Sequence, residues 1–149
     1  MKEKLIVRKI ENGSVIDHIA VGKGLKVLNI LNIKPEETAA LLMNVPSNKF
    51  VKKDILKIEN RELTSKEVNR ISLIAPNATL NIIENGVVKE KRKVILPDLL
   101  KEIIKCPNAN CITNSNEPIK TKFFIEKKEP VKLRCFYCEK LFSSKETIN

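Results

Sequence analysis

Apolar residues recur with two periods along this chain, and the switches between them lay out its elements. Leu5–Ile10 alternates as a strand, and Gly13 turns the chain into Val15-Ile16-Asp17-His18-Ile19, an apolar stretch carrying two neighbouring polar groups. Gly22 and Gly24 then punctuate the chain. Leu25, Leu28 and Leu31 or Asn32, with Val27 and Ile30 beside them, repeat at helical spacing, so an amphipathic helix is expected over residues 24–32, ended by Pro35. Thr38–Val45 reads as a strand, Pro46-Ser47-Asn48 as a turn, and Phe50–Ile58 as a further strand. In that strand Lys53, Ile55 and Lys57 share one face, and Leu56 and Ile58 share the other.

Thr64-Ser65-Lys66-Glu67 has the form of a capping box, in which hydroxyl and carboxylate each accept from the other residue's amide. The helix it starts carries Val68, Ile71 and Leu73 or Ile74 on one side and stops before Pro76. Asn77–Ile83 and Val87–Ile95 then form a hairpin about Asn85-Gly86. The resulting order is α+β: a ferredoxin-like antiparallel sheet with two helices on one face. Leu96-Pro97 breaks the last strand, and residues 98–105 read as a short helical link. A boundary is therefore expected between residues 1–97 and a small all-β domain over 98–149.

That second domain contains the strongest chemical signal. Cys106 and Cys111 stand as C-x4-C and Cys135 and Cys138 as C-x2-C, two close pairs able to offer four thiolates to one tetrahedral Zn²⁺. With every position filled by protein, such a site is structural. A domain this small buries little core, so the ion supplies much of its folding free energy. Two disulfides are the alternative, and they require an oxidising compartment. The opening Met1-Lys2-Glu3-Lys4 shows no apolar signal region, and no run approaches a membrane span, so a reduced, cytoplasmic, metal-loaded protein is expected, with no membrane partner.

Charge changes the picture of the first domain. Among 149 residues, 28 Lys and Arg face 18 Asp and Glu, a net charge of +10 that suits polyanions or phosphorylated ligands. Five Phe, one Tyr and no Trp are thin provision for stacking nucleic-acid bases, which argues against a nucleic-acid partner, although a zinc-ribbon nucleic-acid binder is the rival reading. The polar residues of interest are Asp17, His18, Lys53, Lys57, Asn81 and Lys91. An acidic side chain can hold ribose hydroxyls, and lysines act as mobile point charges for phosphate. Taken alone, His18 is an ordinary hydrogen-bonded structural group, and Lys89, Lys91, Arg92 and Lys93 are a solvated edge that discourages aggregation. Convergence depends on register. A two-residue turn at Asn85-Gly86 puts Asn81 and Lys91 on opposite faces; a three-residue loop, or an equivalent bulge, puts Asn81, Lys89 and Lys91 on one. Neither a glycine-rich phosphate loop nor a nucleophile with an adjacent base is present, so catalysis is not expected.

Together these segments resemble the regulatory chain of aspartate carbamoyltransferase. The resemblance lies in Val15-Ile16-Asp17-His18-Ile19, Lys53-Asp54-Ile55-Leu56-Lys57-Ile58-Glu59-Asn60, Ala75-Pro76-Asn77-Ala78-Thr79, Cys106-Pro-Asn-Ala-Asn-Cys111-Ile112 and Cys135-Phe-Tyr-Cys138-Glu139-Lys140, in that order over nearly the whole length. It implies a non-catalytic subunit of pyrimidine biosynthesis, with an N-terminal allosteric domain for ATP or CTP, UTP being a further candidate. It also implies a C-terminal domain with one structural Zn²⁺ per chain, docked on the catalytic chain, and a homodimer of regulatory chains. By position, backbone about Val7 to Ile10 and Val88 would meet the base, Asp17 and Lys57 the ribose region, and His18, Asn81 and Lys91 the phosphates, with Lys53 close by. Lys4 matches a lysine of a second nucleotide position. Asn108, Asn110 and Glu139, beside metal ligands, would face the catalytic subunit.

Overall fold

In the computed structural model, which describes residues 9–48, 52–116 and 119–148, the chain builds two antiparallel sheets. The first comprises β1 (Gly13–Ile19), β2 (Ala39–Pro46), β3 (Lys52–Glu59), β4 (Thr79–Glu84) and β5 (Val87–Lys93), in the order β2-β3-β1-β4-β5. Helices α1 (Gly24–Ile30) and α2 (Ser65–Ile74) make the crossovers. This is the expected ferredoxin-like antiparallel arrangement, extended at one edge by β5. The second sheet, order β6-β7-β8-β9, contains β6 (Leu99–Lys101), β7 (Lys122–Lys128), β8 (Val131–Cys135) and β9 (Leu141–Ser143), and a one-turn helix α3 (Ser144–Thr147) comes after it.

Alternation puts one side of the first sheet under the helices. Ile16, Leu56, Ile58 and Leu80 are buried there against Val27, Leu31 and Ile71, and removing such side chains from water is the main favourable term. Leu25 stays exposed, so the apolar side of α1 runs from Val27 to Leu31. Gly13, at φ +141°, lies flat between β3 and β4: an added Cβ would sit 2.1 Å from the Ile58 carbonyl oxygen. The buried Asp54 carboxylate accepts from the amides of Gly22 (3.2 Å), Gly24 (3.0 Å) and Asn44 (3.0 Å), tying the entry of α1 to β2.

Residues 98–105 are not helical. Leu99–Lys101 pairs with β7 instead, and Leu100 is buried in a core with Phe123 and Leu133, a non-local gain that outweighs weak helical propensity. The expected first strand, Leu5–Ile10, lies mostly outside the described residues; Lys9 and Ile10 have no regular structure, and Ile10 is buried. Phe50, where the third strand was expected to start, also lies outside them, and β3 is described from Lys52.

Helix α2 serves both cores. Ile71, with Val68 and Ile74, packs in the first, whereas Leu73 belongs to the second beside Leu96, Leu100 and Phe123. The capping box forms as expected: the Glu67 amide donates to Thr64 Oγ1 (3.1 Å) and the Thr64 amide to Glu67 Oε1 (3.0 Å). Arg61 adds a bond to the same carboxylate, pairs with Glu37 at 3.1 Å and donates to the Leu31 carbonyl at 2.8 Å, so it links the end of α1 to the start of α2.

Burial acts to raise the Glu67 carboxyl, but the bonds from Thr64 and Arg61 outweigh it and hold the group below its ordinary 4.5. A carboxyl depressed on folding contributes stability that is present above the unfolded value and is lost as pH falls through the folded one. Glu67→Gln should therefore cost about 1 kcal/mol at neutral pH, with the gap to the parent narrowing below 4.5. Urea unfolding across that range measures it, and a gap that widens on acidification contradicts the assignment.

Candidate functional site

The four cysteines converge at one end of the second sheet. Cys106 and Cys111 bound the loop after β6, Cys135 ends β8, and Cys138 sits in the turn before β9. Their sulfur atoms all lie within 4.8 Å of one another, with Cys106 to Cys138 at 3.8 Å and Cys111 to Cys135 at 3.7 Å. Sulfurs about 2.3 Å from a tetrahedral centre lie about 3.8 Å apart, whereas a disulfide requires about 2.05 Å. The geometry is that of a metal set.

The loops are held by their own backbone. The Cys111 amide donates to the Asn108 carbonyl (3.0 Å), the Asn114 side chain donates to the carbonyls of Cys106 (2.9 Å) and Asn108 (2.7 Å), and the Cys135 amide donates to the Lys140 carbonyl (3.1 Å). Thr113 Oγ1 donates to Cys111 Sγ at 3.2 Å and so braces the end of the first loop. Burial pushes the Cys106 and Cys135 thiols up. Burial opposes ionisation of Cys138 too, but bonds from the Lys140 amide and the Asn108 side chain bring it down to about 7. Buried thiolates need a cation to compensate them, and a divalent ion does so while displacing their protons.

On the first sheet the second constellation lies on the face away from the helices. Lys57 pairs across to Val15, Val15 to Asn81, and Asn81 to Lys91, one row over β3, β1, β4 and β5. The turn is the two-residue form, with Asn85 at φ 54° and Gly86 at φ 80°. A bulge restores the register: Ile82 faces Glu90 while Ile83 faces Val88, so Lys89 is the extra residue, and Val88 and Lys91 share the open face. Lys89 leaves the expected group and pairs with Glu84 at 2.8 Å.

Beside the row, Asp17 pairs with Lys53 at 2.9 Å, its Oδ1 also accepts the His18 amide, and His18 Nδ1 lies 3.2 Å from Thr79 Oγ1. The Asn81 Oδ1 is buried and has no hydrogen-bond partner among the described residues. A buried acceptor without a donor is costly. Ile10 adjoins Glu11, whose carbonyl accepts the Gly86 amide at 2.8 Å, which ties this segment to the hairpin end that carries Val88. Val7 and Lys4 lie outside the described residues.

A family model described as the aspartate carbamoyltransferase regulatory chain, allosteric domain, matches residues 5–95, and one described as its metal binding domain matches residues 98–148. The chain belongs to this family. Among similar regulatory chains, that of Methanococcus aeolicus is 56% identical over 98% of this chain and 94% of its own. That of Methanocaldococcus jannaschii is 52% identical over 95% and 94%, and that of Pyrococcus abyssi 50% over 97% of each. All are named regulatory chains, so the role is regulatory and not catalytic.

This regulatory chain also displays a surface that pattern reading missed. Phe124, Phe136 and Tyr137 are 41%, 46% and 39% exposed, with ring centroids 5.7 Å apart for Phe124 and Phe136 and 5.1 Å for Phe136 and Tyr137. Lys122 Nζ covers the Phe136 ring at 4.5 Å. The available signal was the pair Phe136-Tyr137 between two metal ligands, where side chains turn outward. Val15, Thr79 and Ile83 were not among the expected site residues, although register places them on the open face. Of the residues beside the ligands, Asn110 and Glu139 are exposed, while the Asn108 side chain accepts the Asn110 amide at 3.1 Å and braces its own loop. Among the described residues no helix is long and apolar enough to cross a membrane.

Chelating the metal, or substituting Cys138→Ser, should abolish amide protection in β7 and β8 while β1, β3 and β4 keep theirs. Hydrogen exchange read by mass spectrometry distinguishes the two. Protected β7 and β8 in a verified metal-free sample would rule out a structural metal.

Proposed function

We propose that this chain is the allosteric subunit of a cytoplasmic aspartate carbamoyltransferase assembly, binding ATP or CTP, with UTP as a further effector, on the open face of its first sheet. One structural Zn²⁺ per chain would be held by Cys106, Cys111, Cys135 and Cys138, a set of soft ligands that suits that ion. The domain boundary is taken at residues 97 and 98. The observation that carries the nucleotide reading is the row Lys57-Val15-Asn81-Lys91, which brings two ammonium groups and a side-chain amide onto one open face. In this reading Lys57, with Asp17, serves the ribose region, while Asn81, Lys91 and His18, with Lys53 close by, serve the phosphates. Ile10 and Val88 border the base, as does Val7.

The exposed rings Phe124, Phe136 and Tyr137, with Asn108, Asn110 and Glu139 close to the metal loops, supply the surface for the catalytic chain. Its make-up, aromatic with a polar fringe, suits the centre of a protein interface. A homodimer of regulatory chains would pair through β2, a reading supported by an edge that bears no charge from Ala39 to Pro46, whereas β5 carries Lys89, Lys91, Arg92 and Lys93. Nucleotide binding acts by differential affinity for two quaternary states, a coupling of ~1 to 3 kcal/mol.

Lys57→Ala and Lys91→Ala should each weaken CTP and ATP binding about tenfold in calorimetry, with no change in assembly. Unchanged affinity in both would remove the open face as the site. Co-expression with the catalytic chain of the same source should give one large species containing both chains by native mass spectrometry. Phe136→Ser with Tyr137→Ser should then release free regulatory chains that retain their metal. Separate species from the parent chains would refute the docking assignment.

A further inference from the structure

We propose that Asn85 is a site of spontaneous covalent modification, converting to aspartate and isoaspartate through a cyclic imide, at a pace set by two hydrogen bonds from the turn to Glu11 and Asn12. Two asparagines of the chain are followed by glycine, Asn12 and Asn85, and Asn114 is followed by serine. In these pairs the following residue obstructs its own amide nitrogen least, because glycine has no Cβ and serine only a small side chain. The fold treats the three asparagines differently.

Asn12 and Asn114 are held. Asn12 Oδ1 accepts the Asn85 amide at 3.1 Å, and the buried Gly13 after it is pressed against the Ile58 carbonyl, so the peptide between Asn12 and Gly13 has no room to turn. The Asn114 side chain donates to the carbonyls of Cys106 (2.9 Å) and Asn108 (2.7 Å). Asn85 and Gly86, by contrast, are both exposed at the hairpin tip, and the Asn85 side chain has no hydrogen-bond partner among the described residues. Its carboxamide is free to swing toward the Gly86 nitrogen. That nitrogen is restrained by its bond to the Glu11 carbonyl at 2.8 Å, with the bond from the Asn85 amide to Asn12 beside it. Strand β5 is exposed along its whole length, so this end of the hairpin opens locally at small cost.

Once open, the Gly86 amide loses its proton to solvent and its nitrogen attacks Asn85 Cγ. The new N–Cγ bond closes a five-membered imide, the Cγ–Nδ2 bond breaks, and ammonia leaves with a solvent proton. Water then opens the ring. Cleavage of the N–Cγ bond gives aspartate; cleavage at the Asn85 main-chain carbonyl gives isoaspartate, whose chain runs through Cβ and Cγ and is one atom longer. Either product sets a carboxylate beside Glu84 and close to the carboxylate of Glu11. The longer product also disturbs a turn whose two residues hold φ 54° and 80°. Because β5 is an edge strand, the change loosens the hairpin without opening the core, and it does so whatever occupies the open face.

The test incubates the full-length, metal-loaded chain in mildly alkaline buffer and maps its peptides by mass spectrometry, with isoaspartyl methyltransferase labelling as the second readout. The peptide carrying Asn85 should show the exchange of amide for acid and should accept the label, while those carrying Asn12 and Asn114 stay unchanged. Asn12→Ala removes one of the two restraining bonds and should speed the conversion about fivefold. Asn85→Gly, which suits a positive φ, should abolish the label. An Asn85 that stays intact in the folded chain overturns the proposal, as does conversion that begins at Asn12 or Asn114. An unchanged rate in Asn12→Ala overturns control by the two hydrogen bonds.

Discussion

Helix α2 has two apolar sides, and both are committed. Ile71 and Leu73 are two positions apart, about 200° around a helix, so one points into the core of the first sheet and the other into the core of the second. A helix buried on one side can roll by some degrees at little cost; one clamped from both sides cannot. The capping box and Arg61 hold its first turn, and Arg61 also reaches the end of α1. How the two units meet depends on that double clamp.

Much of this was legible because its causes are local. Alternation marked β1 and β3, Thr64 and Glu67 marked the start of α2, and cysteine spacing marked the metal loops, since each depends on residues within one turn or strand. What could not be read was non-local. Nothing near Leu99 says that β7 will lie beside it, so Leu99–Lys101 looked helical. Leu25 matched the helical period as well as Leu28 does, and only the placement of the sheet selects the Val27 to Leu31 side. The hairpin could be narrowed to two registers but not resolved, because a bulge answers to the twist and pairing of both strands.

The two chemical centres show the same division. Four sulfurs at metal spacing were implied by ligand counting, as was the conclusion that a small second sheet needs an ion. That Phe124 would join Phe136 and Tyr137 on the outside depends on β7 running antiparallel to β8, which places residues far apart in the chain within ring contact. On the open face, Lys57 and Lys91 stand 34 positions apart in number but in one row, and Val15, between them, carries no chemistry that would have drawn notice.

The bulge at Lys89 makes the outer surface of β5 a matter of phase. Downstream of it, Lys91 and Lys93 lie on the open side while Glu90 and Arg92 point the other way; without the extra residue these sets would trade places. Loss of one codon there, leaving composition and hairpin turn almost untouched, would exchange the two faces of the strand. In this hairpin, length decides which face each lysine takes as surely as sequence does.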